Sequence, residues 1–348
     1  MHDTQQHDRT LPDRILGCLL SGLIGDAMGT PSENLAPEEI ERQWGWIDDF
    51  EGSGTDDTLL RNLLCQAIIE SDGWVGPEDW AAQWLAHRAD ILGRRDKFFI
   101  STLHTLERLR RGVPARESAT GNLPSSTSAM AIAPIGIVCG GHPRRAALQA
   151  QGVASLMHTG PAAFCQDAAA AMAAAVAAAM CENATAEASV RAATACLGAG
   201  AGEMRGLIES ALELAVQSGD YREFRSRYAS CFRRSIACDS RETVPAALAL
   251  VWLADGSPKQ AIEFGANFGR DADTIATMAG GIAGALAGAS ALPGQWRAKI
   301  APEDEQQCQR LAEGLLEVGT RAARRELEWA RDWLEWADTA SPTCEGRK

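Results

Sequence analysis

Two short acidic segments, far apart in the chain, hold the residue types best suited to chemistry. The first is Gly54-Thr55-Asp56-Asp57-Thr58 and the second is Gly269-Arg270-Asp271-Ala272-Asp273-Thr274. Thr55, Asp56, Asp57, Asp271, Asp273 and Thr274 offer carboxylate and hydroxyl oxygens, with no nitrogen or sulfur among them. Hard oxygen ligands suit Mg²⁺, Mn²⁺ or Ca²⁺ rather than Zn²⁺. Four carboxylates at one point repel strongly and exceed the charge of one cation, so two divalent ions fit the set better than one. Each segment alone reads equally well as the capped, acidic start of a helix. Only their joint occurrence points to a site.

The elements that must position these residues can be read from small-residue spacing. After Thr274 comes a helical run over residues 275–289 with Gly280, Gly284 and Gly288 on one face, and Asp273 or Thr274 as its expected N-cap. Such a stripe costs about 1 kcal/mol per Gly relative to Ala, and close approach of another helix is the natural compensation. A second stripe, Gly17, Ser21 and Gly25, lies in residues 11–29. The two are expected to form a central antiparallel or crossed pair, with Asp26 near the end of the first helix and Glu33 in the turn beyond. The loop over residues 50–54 has the backbone freedom to deliver Thr55 next to Asp56 and Asp57.

Further helices are expected over residues 35–46, 77–90, 98–111, 144–157, 168–180, 187–197, 203–217, 221–234, 242–254, 258–267 and 302–336, with Pro245 in a first turn. Residues 111–127 form an irregular Ser/Thr-rich loop. Trp329, Trp333 and Trp336 make a stripe at helical spacing that reads as core or subunit contact rather than a ligand box. No alternating pattern suggests a strand series. The fold class is therefore all-α, a compact single-domain helix bundle of roughly a dozen or more helices. The domain is expected over residues 12–338, between a flexible N-terminus (1–11) and a disordered tail (339–348).

Composition narrows the functional classes. The chain has 348 residues, 46% hydrophobic and 23% charged, with a net charge of −13. That balance argues against a nucleic-acid surface, which needs clustered Lys and Arg. There is no apolar leader and no run of about 18 apolar residues, so no membrane partner is expected. Ten cysteines are scattered without CxxC or zinc-type pairing, which reads as reduced thiols in a cytoplasmic protein. Monomer and homo-oligomer are both open.

The chain resembles the ADP-ribosylglycohydrolase family. The matching segments are Gly25-Asp26-Ala27-Met28-Gly29 with Glu33, Gly54-Thr55-Asp56-Asp57-Thr58, Ala133-Pro134-Ile135-Gly136, Met157-His158-Thr159, Glu242-Thr243-Val244-Pro245 and the Gly269 to Ala276 stretch. They occur in the family's order. The resemblance implies an all-α domain around a dinuclear Mg²⁺ centre, with Mn²⁺ as a substitute, and hydrolysis of a glycosidic bond at the ribose C1 of an ADP-ribosylated protein or small molecule. It implies Thr55, Asp56, Asp57, Asp271, Asp273 and Thr274 as metal ligands. Glu33, Asp56 and Asp57 become the candidates for general base, and Ser126, Thr127, Ser128 and His158 the substrate-binding residues. One segment departs from the pattern: where the family usually has Gly-Asn-Gly and then Met-Arg, this chain has Ser125-Ser126-Thr127-Ser128-Ala129-Met130-Ala131. That loop normally helps hold the diphosphate. Its change raises the alternative of a nucleosidase-like N-ribosyl hydrolase acting on a smaller riboside.

Overall fold

A computed structural model describes residues 10–340. The terminal segments read from sequence as flexible lie mostly outside these residues. Within them the chain forms eighteen α-helices, joined by turns and short 3-10 segments, and no strand. They are α1 (Leu11–Gly29), α2 (Pro37–Trp44), α3 (Asp56–Glu70), α4 (Pro77–Ala86), α5 (Arg88–Gly93) and α6 (Ile100–Arg110). Next come α7 (Thr127–Ala131), α8 (Ala133–Val138), α9 (Pro143–Ala154), α10 (Phe164–Ala179), α11 (Ala186–Ala195) and α12 (Gly202–Gln217). The last six are α13 (Tyr221–Phe232), α14 (Ser240–Leu253), α15 (Pro258–Ala266), α16 (Ala272–Ala287), α17 (Gly294–Arg297) and α18 (Pro302–Ala340).

The expected central pair is α1 against α16, and it is antiparallel: Gly17 meets Gly284, Gly25 meets Ala276, and Gly29 meets Asp273. A Cβ on Gly17 would lie 2.5 Å from the Gly284 oxygen, and one on Gly25 would lie 2.5 Å from the Ala276 carbonyl carbon. The backbones touch, which is why neither position accepts even a methyl group. At the site end of the pair a Cβ on Gly29 would sit 2.5 Å from the Asp273 nitrogen. That absent carbon lets the acidic start of α16 press against the end of α1.

Around this pair α10, ten of its sixteen residues alanine, lies buried on nearly every face. Residues 160–179 are long and apolar enough to cross a membrane by composition, yet 72% of that window is buried inside the fold. Alanine side chains let neighbouring helices approach closely enough to keep it there.

Several sequence expectations need correction. The N-cap of α16 is Asp271, not Asp273 or Thr274, and Gly288 falls beyond the helix as a positive-φ residue (86°) that ends it. The run over residues 77–90 is two helices that break at His87. Pro245 lies inside α14 rather than in its first turn, because the helix begins earlier, at Ser240, behind an Asp239 cap. The Trp329, Trp333 and Trp336 stripe is not core: these side chains are largely exposed.

Candidate active site

Asp26 is the hub that joins the first acidic segment to the central helix pair. Its carboxylate is fully buried and accepts four hydrogen bonds: Thr55 N–H (2.7 Å), Thr55 Oγ1 (2.7 Å), Thr58 N–H (3.0 Å) and Thr58 Oγ1 (2.6 Å). Thr58 is the third residue of α3, so its N–H is one of the donors a helix start leaves without an intrahelical partner. Asp26 therefore caps α3 from a different helix. Thr55 occupies the N-cap position but makes no side-chain cap bond of its own. The capping reading of the first segment is thus set aside for Thr55, whose hydroxyl proton is directed to Asp26 while its oxygen lone pairs stay available.

The second segment is held by a strained loop. Gly269 and Arg270 both have positive φ, 79° and 62°. For arginine this is an unfavourable conformation. It is stabilised by backbone bonds in both directions, Arg270 N–H to Leu35 O (3.1 Å) and Asn34 N–H to Arg270 O (2.6 Å). The Arg270 guanidinium also grips the buried Glu242 carboxylate with two bonds, 2.7 and 2.9 Å, and donates to Arg234 O (2.7 Å). The Glu242-Thr243-Val244-Pro245 segment thus acts as an anchor for the loop that carries Asp271 and Asp273. Ser126, at the start of α7, donates to Asp271 Oδ2 (3.0 Å).

These constraints bring the two segments together. Carboxylate oxygens of Asp26, Asp57 and Asp273 lie within 4.8 Å of one another, as do those of Glu33, Asp271 and Asp273. Asp57, Asp271 and Asp273 are buried, whereas Glu33 and Asp56 are half-buried. Thr274 Oγ1 donates to Asp57 Oδ2 (3.3 Å), the same arrangement as Thr55 on Asp26. Asp57 Oδ1 is buried and has no hydrogen-bond partner. An ionised oxygen left that way carries a large desolvation cost.

Electrostatics point the same way. Burial first, then repulsion from Asp26, pushes the Asp56 carboxyl up to about 8. Burial also raises Asp271, to about 7, with Glu33 adding to the rise and the Ser126 bond opposing it. Asp57 and Asp273 are raised well above the usual carboxylate range by burial and by their carboxylate neighbours. Asp26 is raised by burial despite the bonds from Thr58 and Thr55. The N-termini of α3 and α16 supply only partial positive charge. Burial and mutual repulsion thus oppose full ionisation of the cluster, and bound cations would favour it. An oxygen-only donor set with an orphaned buried carboxylate oxygen fits hard divalent ions. Asp26 fits them least, since its lone pairs are already engaged.

Among the expected substrate-binding residues, His158 is placed differently from a group that faces a ligand. It is fully buried, with Ser125 Oγ 3.0 Å from Nε2 and Ser128 Oγ 2.6 Å from Nδ1. Burial lowers its pKa to about 3, so the ring is neutral, with one nitrogen donating and the other accepting. It staples the first turn of α7, and Ser126 in that turn reaches Asp271. Thr127 Oγ1 lies 2.9 Å from Ser125 Oγ. The contribution of Asp26 and Thr58 was missed from sequence. The signal was present in the matched Gly25-Asp26 segment and in the second threonine of Thr55-Asp56-Asp57-Thr58.

The model of the ADP-ribosylglycohydrolase family matches residues 7–342. The chain belongs to that family. It is 27% identical over 316 residues to the uncharacterized protein YegU of Escherichia coli (strain K12), covering 83% of this chain and 92% of that one. It is also 28% identical over 172 residues to an uncharacterized protein of Archaeoglobus fulgidus, covering 47% of this chain and 55% of the other. A solved structure described as an ADP-ribosylglycohydrolase-related protein complex superposes with a TM-score of 0.66 at 22% identity, covering 89% of this chain and 99% of that chain. At that identity the superposition speaks for the shared all-helical fold. Membership of the family implies a glycohydrolase.

Proposed function

We propose that this glycohydrolase depends on two divalent cations, Mg²⁺ or Mn²⁺, and cleaves the glycosidic bond at the ribose C1 of an ADP-ribosylated protein or small molecule. The observation that carries the proposal is a pair of adjoining carboxylate groups, Asp26–Asp57–Asp273 and Glu33–Asp271–Asp273, joined through Asp273, with Asp57 Oδ1 buried and unpartnered, in a chain of this family. Thr55, Asp56, Asp57, Asp271, Asp273 and Thr274 would hold the ions. When bound, such ions grip a vicinal diol and acidify a water.

The chain's own residues supply the remaining requirements. Thr55 and Thr274 turn their hydroxyl protons toward Asp26 and Asp57, so their lone pairs face away from those carboxylates. Negative charge around the ribose favours the positive charge that develops at C1 in the transition state. Asp57 is enclosed and suits ion binding, while Glu33 and Asp56, whose residues keep part of their surface exposed, are the carboxylates better placed to act on a water as general base. Ser126 orients Asp271, and His158 fixes Ser125 and Ser128 behind it. The test is release of free ribosyl product from ADP-ribosylated substrates by the metal-loaded chain. It should be abolished by EDTA and by Asp57→Asn, and should fall by about 10² or more in kcat with Glu33→Gln or Asp56→Asn, whichever is the base. No release from any ribosyl substrate in Mg²⁺ or Mn²⁺ would overturn the proposal.

One observation favours a smaller riboside as the second reading. The hydroxyls of Ser125, Ser126 and Ser128 all have partners within the protein, on His158 and Asp271. A loop whose hydroxyls are so engaged offers little to a diphosphate, and a substrate without the distal nucleotide asks less of it. Nucleobase release from unphosphorylated ribosides would support this alternative.

A further inference from the structure

The chain on either side of Glu33 is pinned to the second acidic segment. Before it, the hydroxyl of buried Ser32 reaches both Gly29 O (2.9 Å) and Ala266 O (2.5 Å). After it, Asn34 N–H donates to Arg270 O (2.6 Å), and Leu35 O accepts from Arg270 N–H (3.1 Å). A Cβ on Gly269 would lie 2.6 Å from Leu35 O, so the two backbones touch. Residues 32–35 are thereby stitched to residues 266–270, next to the loop that carries Asp271 and Asp273.

The residue type at position 34 answers two demands at once. Among the described residues four non-glycine residues have positive φ: Asn34, Asp72, Asp255 and Arg270. Asn34 and Arg270, both at 62°, are bonded to each other here. Such conformations persist where the surroundings impose them, and they gather at functional sites. Asn34 is exposed, so packing does not select its side chain. Its Nδ2 donates to Glu33 Oε1 at 3.0 Å. Glycine would adopt this φ most readily but has no donor. Aspartate tolerates it but would set a second negative charge against Glu33. Asparagine both tolerates the backbone and donates.

We propose that Asn34 is a positioning residue for the hydrolysis, whose amide holds the Glu33 carboxylate toward Asp271 and Asp273. The inference rests on the reading of Glu33 as the general base. A carboxylate oxygen of Glu33 lies within 4.8 Å of oxygens from Asp271 and Asp273. Like charges at that range repel, and half-buried Glu33 has solvent to turn into. A donor fixed by its own backbone bond to Arg270 opposes that turn. It ties the carboxylate that acts on the water to the same loop that presents Asp271.

A double-mutant cycle on the full chain in saturating Mn²⁺, with an ADP-ribosylated protein as substrate, tests this. Asn34→Gly keeps the positive φ accessible and deletes only the amide. It should lower kcat by about 10-fold, with KM changed less than about twofold and the melting temperature kept within about 2 °C. Mn²⁺ affinity by calorimetry should stay at the wild-type value. Asn34→Asp should lower kcat at least as far. In a Glu33→Ala background, already slow, Asn34→Gly should cost less than about a further twofold, because Asn34 then has nothing to hold. Asn34→Gly at wild-type kcat would overturn the proposal. So would a full additional loss in the Glu33→Ala background, or a kcat that falls only in step with melting temperature and Mn²⁺ affinity, as a simple turn residue would give. Failure of the underlying reading looks different: Glu33→Ala would itself keep wild-type kcat, or the wild type would release no ribosyl product, and the proposal would fall with it.

Discussion

Cation binding by the acidic cluster should be tightly linked to proton release, and the linkage can be worked from the site itself. Asp56 and Asp271 titrate at about 8 and about 7 without metal. At pH 6 both hold protons, and Asp57 and Asp273 are likewise raised well above the usual carboxylate range by burial and by neighbouring carboxylates. Ligation needs ionised carboxylates, so these protons must leave on binding. Each released proton makes the apparent affinity tenfold tighter per pH unit. With one to two protons released per ion bound, apparent Kd for each Mn²⁺ should fall about 10- to 100-fold per unit between pH 5.5 and 7. The slope should begin to flatten above pH 8 as Asp56 and Asp271 ionise on their own. Titration calorimetry in two buffers of different ionisation enthalpy counts the protons directly. The sign for the metal-free protein is opposite. Its carboxylates have folded pKa values above their unfolded ones, so their contribution is most favourable below about pH 4 and is lost as pH rises through about 7 to 8. Metal-free stability should therefore decline from pH 5 to pH 8, while stabilisation by added Mn²⁺ grows over the same interval. A pH-independent affinity with no proton released would refute the reasoning, because the carboxylates would then already be ionised without a cation.

Other perturbations separate the roles of individual residues. Asp57→Asn should remove the melting-temperature rise caused by Mn²⁺ and, by relieving repulsion, raise the melting temperature of the metal-free protein at pH 8 by roughly 1–4 °C. Gly25→Ala and Gly284→Ala should each cost about 1–3 kcal/mol or more in denaturant unfolding. Gly206→Ala in α12, where an added Cβ meets nothing within 4 Å, should instead be neutral or stabilise by up to about 1 kcal/mol. Arg270→Ala leaves buried Glu242 without its ionic partner and should destabilise by about 3–5 kcal/mol; an unfolding midpoint unchanged from wild type would deny the anchor role of that pair. Ser126→Ala should leave the fold nearly intact while weakening Mn²⁺ binding, read by calorimetry.

The parts of the fold that were legible in the sequence are those governed by local spacing. Gly17, Ser21 and Gly25 on one helix and Gly280 and Gly284 on another announce a close crossing, since little else compensates a glycine stripe. The helical runs follow from periodicity, and their errors fall where a helix boundary is set by tertiary contact. Asp239 starts α14 two residues before the expected point, leaving Pro245 inside the helix, and His87 splits a run whose apolar spacing continues across the break. The acidic segments were visible as residue types, but their wiring was not. Nothing local in Gly25-Asp26 reveals that its carboxylate caps a helix 29 residues further on. The burial of His158 between Ser125 and Ser128 likewise depends on the segment after α9 meeting the start of α7, which no spacing encodes. The exposure of Trp329 and Trp333 depends on where the body ends, and helical periodicity cannot report that.

The account rests on the carboxylates being there to hold cations. The most direct test is a crystal of the full chain grown with Mn²⁺ and measured at a wavelength where manganese scatters anomalously. The account predicts two anomalous peaks among Asp56, Asp57, Asp271 and Asp273, with Thr55 and Thr274 oxygens in the coordination shells. Bound manganese elsewhere, with this cluster empty at saturating Mn²⁺, would contradict it.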